Sequence, residues 1–251
     1  MNKIIKIKSV ITLLVSIMFF SFTAQAVEDL DYENGNMTIP YYYEDGRSYQ
    51  RHAEGYYHTP VILSGGARSG DKYVSFAAPA NNNTSISKDR SELFLLPNVA
   101  QPPWGQLKKT EFSFRLANSF PMVNDWMVLF QWHQGQGESP PVAFEVTPGT
   151  SNRIRVVLRT GENKANHQVK FFDLGYLPKG QWQDIVAKVR FSTNPANGKI
   201  EIYLNGQLKV NYVGSVGYSN VTPGFYDIKY GVYSARQNAY RRIDYDNVYT
   251  N

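Results

Sequence analysis

The 251-residue chain contains no cysteine. That excludes a disulfide framework, a thiolate nucleophile and a cysteine-ligated zinc site. No glycine-rich phosphate loop or serine nucleophile elbow occurs either. Beyond Val10–Phe22 there is no long apolar run, so no later segment reads as a membrane-spanning helix. No basic cluster exceeds two residues, which argues against nucleic acid as the partner of a chain with net charge +5. No histidine pair has metal-ligand spacing: His52 and His58 flank a tyrosine pair, and His167 lies in a polar segment. No carboxylate pair marks a retaining glycosidase. Helix-period stretches are scarce, and no repeat, low-complexity tract or linker divides the chain.

What is present begins with a leader. Lys3, Lys6 and Lys8 precede the apolar stretch Val10–Phe22, and Ala24-Gln25-Ala26 follows as a small-residue cleavage site. The reading is a secretory signal over residues 1–26 and an exported, soluble chain over 27–251, either secreted or periplasmic. Without the leader's three lysines, 23 basic residues face 21 acidic ones. The six acids Glu28, Asp29, Asp31, Glu33, Glu44 and Asp45 stand together, leaving +8 from Gly46 onward. A body of that sign attracts polyanions over long range.

The period of the remainder is two. Glu111–Leu116, Arg153–Arg159 and Asp184–Phe191 alternate, and Lys199–Leu204 runs through the turn pair Asn205-Gly206 into Gln207–Val210. Proline and glycine pairs punctuate the loops. The expectation is an all-β chain, a single-domain antiparallel two-sheet β-sandwich of jelly-roll type with a concave substrate groove. Residues 28–60, rich in tyrosine and acid, would add an edge strand or a covering loop.

Three distant segments carry chemistry: Arg90-Ser91-Glu92-Leu93, Gln131-Trp132-His133 and Lys229-Tyr230-Gly231-Val232-Tyr233. In a strand, residues i and i+2 share a face. Arg90 then stands with Glu92, Gln131 with His133, and Lys229 with Gly231 and Tyr233, while Trp132, Ile228, Tyr230 and Val232 turn to the core. Arg90 offers a rigid two-pronged clamp for a carboxylate, with Glu92 beneath to orient it. Gln131 would donate to the same carboxylate, and His133 would accept a proton. Gly231 would leave a gap where a sugar ring approaches the backbone. Lys229 and Arg236 complete the substrate contacts. Asp244 and Asp246 are the one carboxylate pair suggesting a structural calcium. Taken singly, each segment also reads as an ordinary surface pair, strand end or amphipathic tyrosine.

In order and content these motifs resemble the jelly-roll polysaccharide lyases. Family 7 alginate lyases carry Arg-x-Glu-Leu, then Gln-Ile/Val-His, then Tyr-x-Lys-x-Gly-x-Tyr. This chain departs by two residues, not one, between Tyr226 and Lys229, and by Trp132 at the aliphatic position. The Gln-Trp-His form, Trp182 and the Tyr203–Gly206 hairpin look closer to the heparin lyase I-like and glucuronan lyase families (families 13 and 20). The resemblance implies β-elimination at a uronic acid. Arg90 and Gln131 would neutralise the carboxylate, His133 or Tyr233 would remove the neighbouring C5 proton, and Tyr233 would protonate the departing O4. No organic or redox cofactor is implied, and the partner is an anionic polysaccharide acted on by a monomer. Glucuronan, a heparosan-like chain, alginate and a capsular polymer all remain open. So do a non-catalytic carbohydrate-binding module and a glycoside hydrolase on the same fold.

Overall fold

The computed structural model describes residues 28–30, 32–33, 36–38, 41–44, 47–54, 59–80, 85, 87–95, 105–134, 137–220 and 227–250. Among them every regular element is a strand. In chain order these begin β1 (Glu28–Leu30), β2 (Asn36–Thr38), β3 (Tyr41–Glu44), β4 (Arg47–Glu54), β5 (Val61–Ser64) and β6 (Lys72–Ala78). Next come β7 (Lys88–Leu95), β8 (Leu107–Leu116), β9 (Met127–His133), β10 (Val142–Val146), β11 (Arg153–Asn163) and β12 (Asn166–Tyr176). The last are β13 (Gln183–Arg190), β14 (Lys199–Leu204), β15 (Gln207–Val213), β16 (Gly217–Tyr218), β17 (Asp227–Ala235) and β18 (Arg241–Thr250). The leader read from the sequence lies outside the described residues.

The strands form two sheets. The smaller runs β15-β14-β13-β8-β18-β6-β5, with β1 added beside β18. The larger runs β12-β11-β10-β9-β17-β7-β4-β3-β2, with β16 parallel to β11 and every other pairing antiparallel. Residues 28–54 therefore do more than cover an edge: β4, β3 and β2 extend the larger sheet beyond β7. In the smaller sheet β13 and β14 alternate buried and part-exposed residues, as strands with one solvated face do. Asn205 and Gly206 turn their hairpin with φ of 49° and 78°, the double positive φ of a type I′ turn.

The sheets meet through aromatic rings. Phe112 of β8 stacks on Phe130 of β9 with centroids 4.2 Å apart, and Phe76 of β6 meets Tyr230 of β17 edge-on at 5.7 Å. Each such fully buried side chain contributes about 1.5–3 kcal/mol. Trp132, Ile228, Tyr230 and Val232 join this core, as their alternation requires. The chain passes from smaller to larger sheet at β6–β7, at β8–β9 and again before β17. Those crossings make β7, β9 and β17 neighbours although they are far apart in sequence.

One irregularity positions the site. Tyr230 pairs with Phe130 and Tyr233 with Val128, so two residues of β17 face Leu129 alone; on the other side Phe144 and Glu145 pair with Phe130 and Val128. This bulge breaks the alternation of β9. Met127, Leu129, Phe130 and Trp132 all enter the core, whereas Val128, Gln131 and His133 fall on the outer face. The Leu129 carbonyl is satisfied from the core by the Tyr245 hydroxyl at 2.6 Å.

Candidate active site

The three motifs occupy adjacent central strands of the larger sheet, in the order β9-β17-β7. Their register is specific: Tyr233 lies opposite Arg90, Gly231 opposite Glu92, Lys229 opposite Gln131 and Asp227 opposite His133. Directly paired residues share a face. Arg90, Gln131, His133, Lys229 and Tyr233 all line one cavity of about 330 Å³ on the outer face of this sheet.

Glu92 organises the group from below. Its side chain is fully buried, so it makes no contact with a ligand in the cavity. One carboxylate oxygen accepts from Gln131 Nε2 at 2.7 Å, and the other lies 3.4 Å from Arg90 Nε. A buried carboxylate holding both an amide and a guanidinium restricts their rotamers and keeps the guanidinium at the cavity wall. The Arg90 guanidinium also lies on the Tyr233 ring, 3.9 Å from its centroid, and Trp126 packs edge-on against that ring at 4.8 Å. Tyr233 is thus fixed from two sides.

Lys229 is nearly buried, with its ammonium 5.1 Å from the Phe94 ring centre. Burial pushes that ammonium below the ordinary lysine value and Arg90 adds to the effect, while Glu92 and Asp227 oppose it. Burial likewise pushes the Asp227 carboxyl up, against the pull of Lys229. Along the strands, His133 and Tyr233 stand at opposite ends of the group, with Gln131 and Lys229 between them. A ligand carboxylate held by Arg90 and Gln131 therefore has an imidazole towards one side and a phenol towards the other.

Gly231 has a different purpose from the one its motif suggested. Its φ is +136°, and a Cβ there would stand 2.2 Å from the Ser91 carbonyl oxygen, 2.8 Å from Phe76 and 2.9 Å from the Glu92 Cα. The missing side chain admits the neighbouring strand and a core ring, not a sugar. Arg236 does not line the cavity. β17 ends at Ala235, and on the connection that follows the Arg236 backbone N–H donates to Ser87 at 3.0 Å. Asp244 and Asp246 lie on β18 in the other sheet. Asp244 is held by Arg115 and Arg242, and Asp246 accepts the backbone N–H groups of Arg68, Ser69 and Asn247. Their oxygens are engaged by protein donors and not turned outward as an open ligand pair. Among the described residues no group of three metal-ligating side chains forms.

The cavity also contains residues that the motifs did not announce. Trp126 closes the Tyr233 end, while Glu145, Arg159 and Lys164 line the cavity on the side of β10 and β11. Glu145 is a charged residue inside the otherwise apolar β10, and Arg155 and Arg159 alternate along β11. Those signals were legible, but the sheet they face was not. β4 brings His52 to the register position opposite Glu92, and His58 lies outside the described residues.

No curated protein matches the sequence. The fold is similar to that of an endo-β-1,4-glucuronan lyase from the fungus Trichoderma reesei, with a TM-score of 0.63 at 14% identity over 78% of this chain and 90% of that one. It is similar to an alginate lyase of polysaccharide lyase family 7, with a TM-score of 0.52 at 20% identity over 88% and 95%. A botulinum neurotoxin serotype D/C binding domain has a TM-score of 0.51 at 11% identity over 82% and 44%. At such identities the likeness concerns architecture alone, and this jelly-roll architecture is found in lyases and in a toxin's binding domain alike. The sequence itself is more specific, since residues 45–249 match the polysaccharide lyase family. The chain belongs to that family and is a lyase acting on polysaccharides.

Proposed function

We propose that the enzyme cleaves a uronic-acid-containing polysaccharide by β-elimination and leaves a 4,5-unsaturated uronate at the new chain end. The observation that carries this reading is the buried Glu92, which holds Gln131 and Arg90 side by side beneath a cavity, with Arg90 lying on Tyr233. In this reading the substrate carboxylate rests between Arg90 and Gln131. One amide hydrogen of Gln131 goes to Glu92, and the second is the donor to the substrate. Arg90 and Lys229 supply positive charge where negative charge builds as the C5 proton leaves.

The electrons of the C5–H bond become the C4–C5 double bond, the C4–O4 bond breaks, and the Tyr233 hydroxyl protonates O4. A uronate whose C5 proton and O4 lie on opposite sides uses His133 as base and Tyr233 as acid. One with both on the same side uses Tyr233 for both transfers. Each positioned acid or base contributes about 10²- to 10⁴-fold. Every group in this scheme comes from one chain, in keeping with a monomeric enzyme, and the lysine-led leader directs its export. Family membership sets aside the binding-module and glycosidase readings.

The test is to incubate the chain from residue 27 onward with glucuronan, heparosan, alginate and capsular polyuronates. Ultraviolet-absorbing unsaturated ends should accumulate with at least one polymer as its viscosity falls. Reducing ends without that absorbance, or no cleavage of any uronate polymer, would overturn the proposal.

A further inference from the structure

The larger sheet repeats, on β10 and β11, the device that holds Arg90 and Gln131. Glu145 of β10 is almost fully buried and accepts from two arginines of β11, Arg155 Nη2 at 3.0 Å and Arg159 Nη2 at 3.1 Å. Arg159 Nη1 also donates to the Pro140 carbonyl at 2.8 Å. Arg155 lies on the Phe171 ring, 4.1 Å from its centre, and its buried Nε has no acceptor. Phe171 itself is more than half exposed. The cluster carries two guanidiniums against one carboxylate, a surplus positive charge with donors to spare.

Register links the two devices. One row across the strands reads Arg90, Tyr233, Val128, Glu145, Arg155; the next reads Lys229, Gln131, Ala143, Val157, Phe171. Ala143 and Val157 are small and fully buried, so the Glu145–arginine cluster can lie flat over them as the surface of the sheet. Neighbouring strands are about 4.8 Å apart, so β11 lies about 10 Å from the Gln131 strand. A 1,4-linked pyranose advances by roughly one strand spacing. A chain laid across the strands with one uronate at Gln131 therefore brings the second uronate beyond it over β11.

We propose that Arg155 and Arg159, braced by Glu145, form a second carboxylate subsite for the uronate two residues along the polymer from the one held by Arg90 and Gln131. This rests on the polyuronate reading above and adds to it a requirement for substrate length and charge. The Glu145 side of the cavity then serves affinity, and the Tyr233 end serves chemistry.

Steady-state kinetics on oligouronates of graded length, with equilibrium binding of the same oligouronates in a Tyr233→Phe background, tests this. Lengthening the oligomer until it reaches β11 should lower KM and Kd about tenfold in the otherwise native site, and Arg155→Gln should abolish that gain. Arg155→Lys should recover part of it. Because Arg155→Gln alters the charge beside a buried carboxylate, the charge-balanced pair Glu145→Gln with Arg155→Gln is measured as well, each after a check of melting temperature. Carboxyl-reduced oligomers should show no length gain in any variant. A gain that persists in both folded variants overturns the subsite. Absence of unsaturated ends with every polymer overturns the elimination chemistry instead, and the binding arm then decides the subsite by itself.

Discussion

Gly231→Ala separates two uses of one residue. Were this glycine a gap for a sugar ring, an added methyl would raise KM and leave stability alone. The geometry gives the opposite result. The new Cβ would stand 2.2 Å from the Ser91 carbonyl oxygen and 2.9 Å from the Glu92 Cα, both backbone atoms of β7. Neither can move without opening the β17–β7 ladder, and the third contact, Phe76, is fully buried in the core. A φ of +136° is also costly for any residue with a Cβ. Backbone strain of this kind costs about 1–3 kcal/mol, and overpacking of a filled core about 1–3 kcal/mol more. The sum, about 2–6 kcal/mol, is a large part of the 5–15 kcal/mol that stabilises a typical domain. At roughly 2–4 °C per kcal/mol for a chain of this size, melting should fall by about 5–20 °C. Urea and thermal unfolding measure this directly, and turnover should fall too, because Glu92 moves with its strand. A variant that melts within about 2 °C of wild type but shows a raised KM would refute the reasoning and restore the gap.

The remaining expectations concern the site. Tyr233→Phe should lower kcat by about 10²- to 10⁴-fold with an unchanged melting temperature; near-normal turnover would remove Tyr233 from the chemistry. His133→Ala should be as severe if His133 is the base and mild if Tyr233 performs both transfers, and Arg90→Lys should lower kcat more than it raises KM, since the charge survives and the two-pronged contact does not. Glu92→Gln preserves volume but removes the charge that holds Arg90, so kcat/KM should fall about 10²-fold or more at a stability cost of about 1–3 kcal/mol; an active variant would show that Arg90 needs no brace. Asp227 gives a pH signature. Burial raises its carboxyl above 3.8, so its contribution to stability is complete below that pH and is lost as pH rises through the raised value. Asp227→Asn removes this loss, so its stability relative to wild type should grow from acid to neutral pH in urea titrations, and parallel curves would contradict the assignment.

Much of this molecule could be read from local pattern. Alternation in Asp184–Phe191 and Lys199–Leu204 identifies strands, because a pleated backbone sends successive side chains to opposite faces. The Asn205-Gly206 turn follows from the positive φ that those residues tolerate. The i, i+2 spacing put Gln131 with His133 and Lys229 with Tyr233, and the structure brings all four to one cavity. Local pattern does not say which strands become neighbours. β7 and β17 are joined only because the chain crosses repeatedly between sheets, and that depends on packing between distant aromatic faces.

Three features were decided at that level alone. The bulge at Leu129 reverses the alternation of β9, and its carbonyl is satisfied by Tyr245, more than a hundred residues away in sequence. Gly231 faces Ser91 and Phe76 because β7 closes against it, a contact invisible in the Lys229–Tyr233 motif. Arg155 and Arg159 read as the polar side of an amphipathic strand, yet they meet Glu145 at the edge of the cavity since β10 lies between β9 and β11. A side chain's chemistry and its face on the strand are local properties, written in the sequence. Its partner across the sheet depends on strand order and register, which only the burial of the whole core selects.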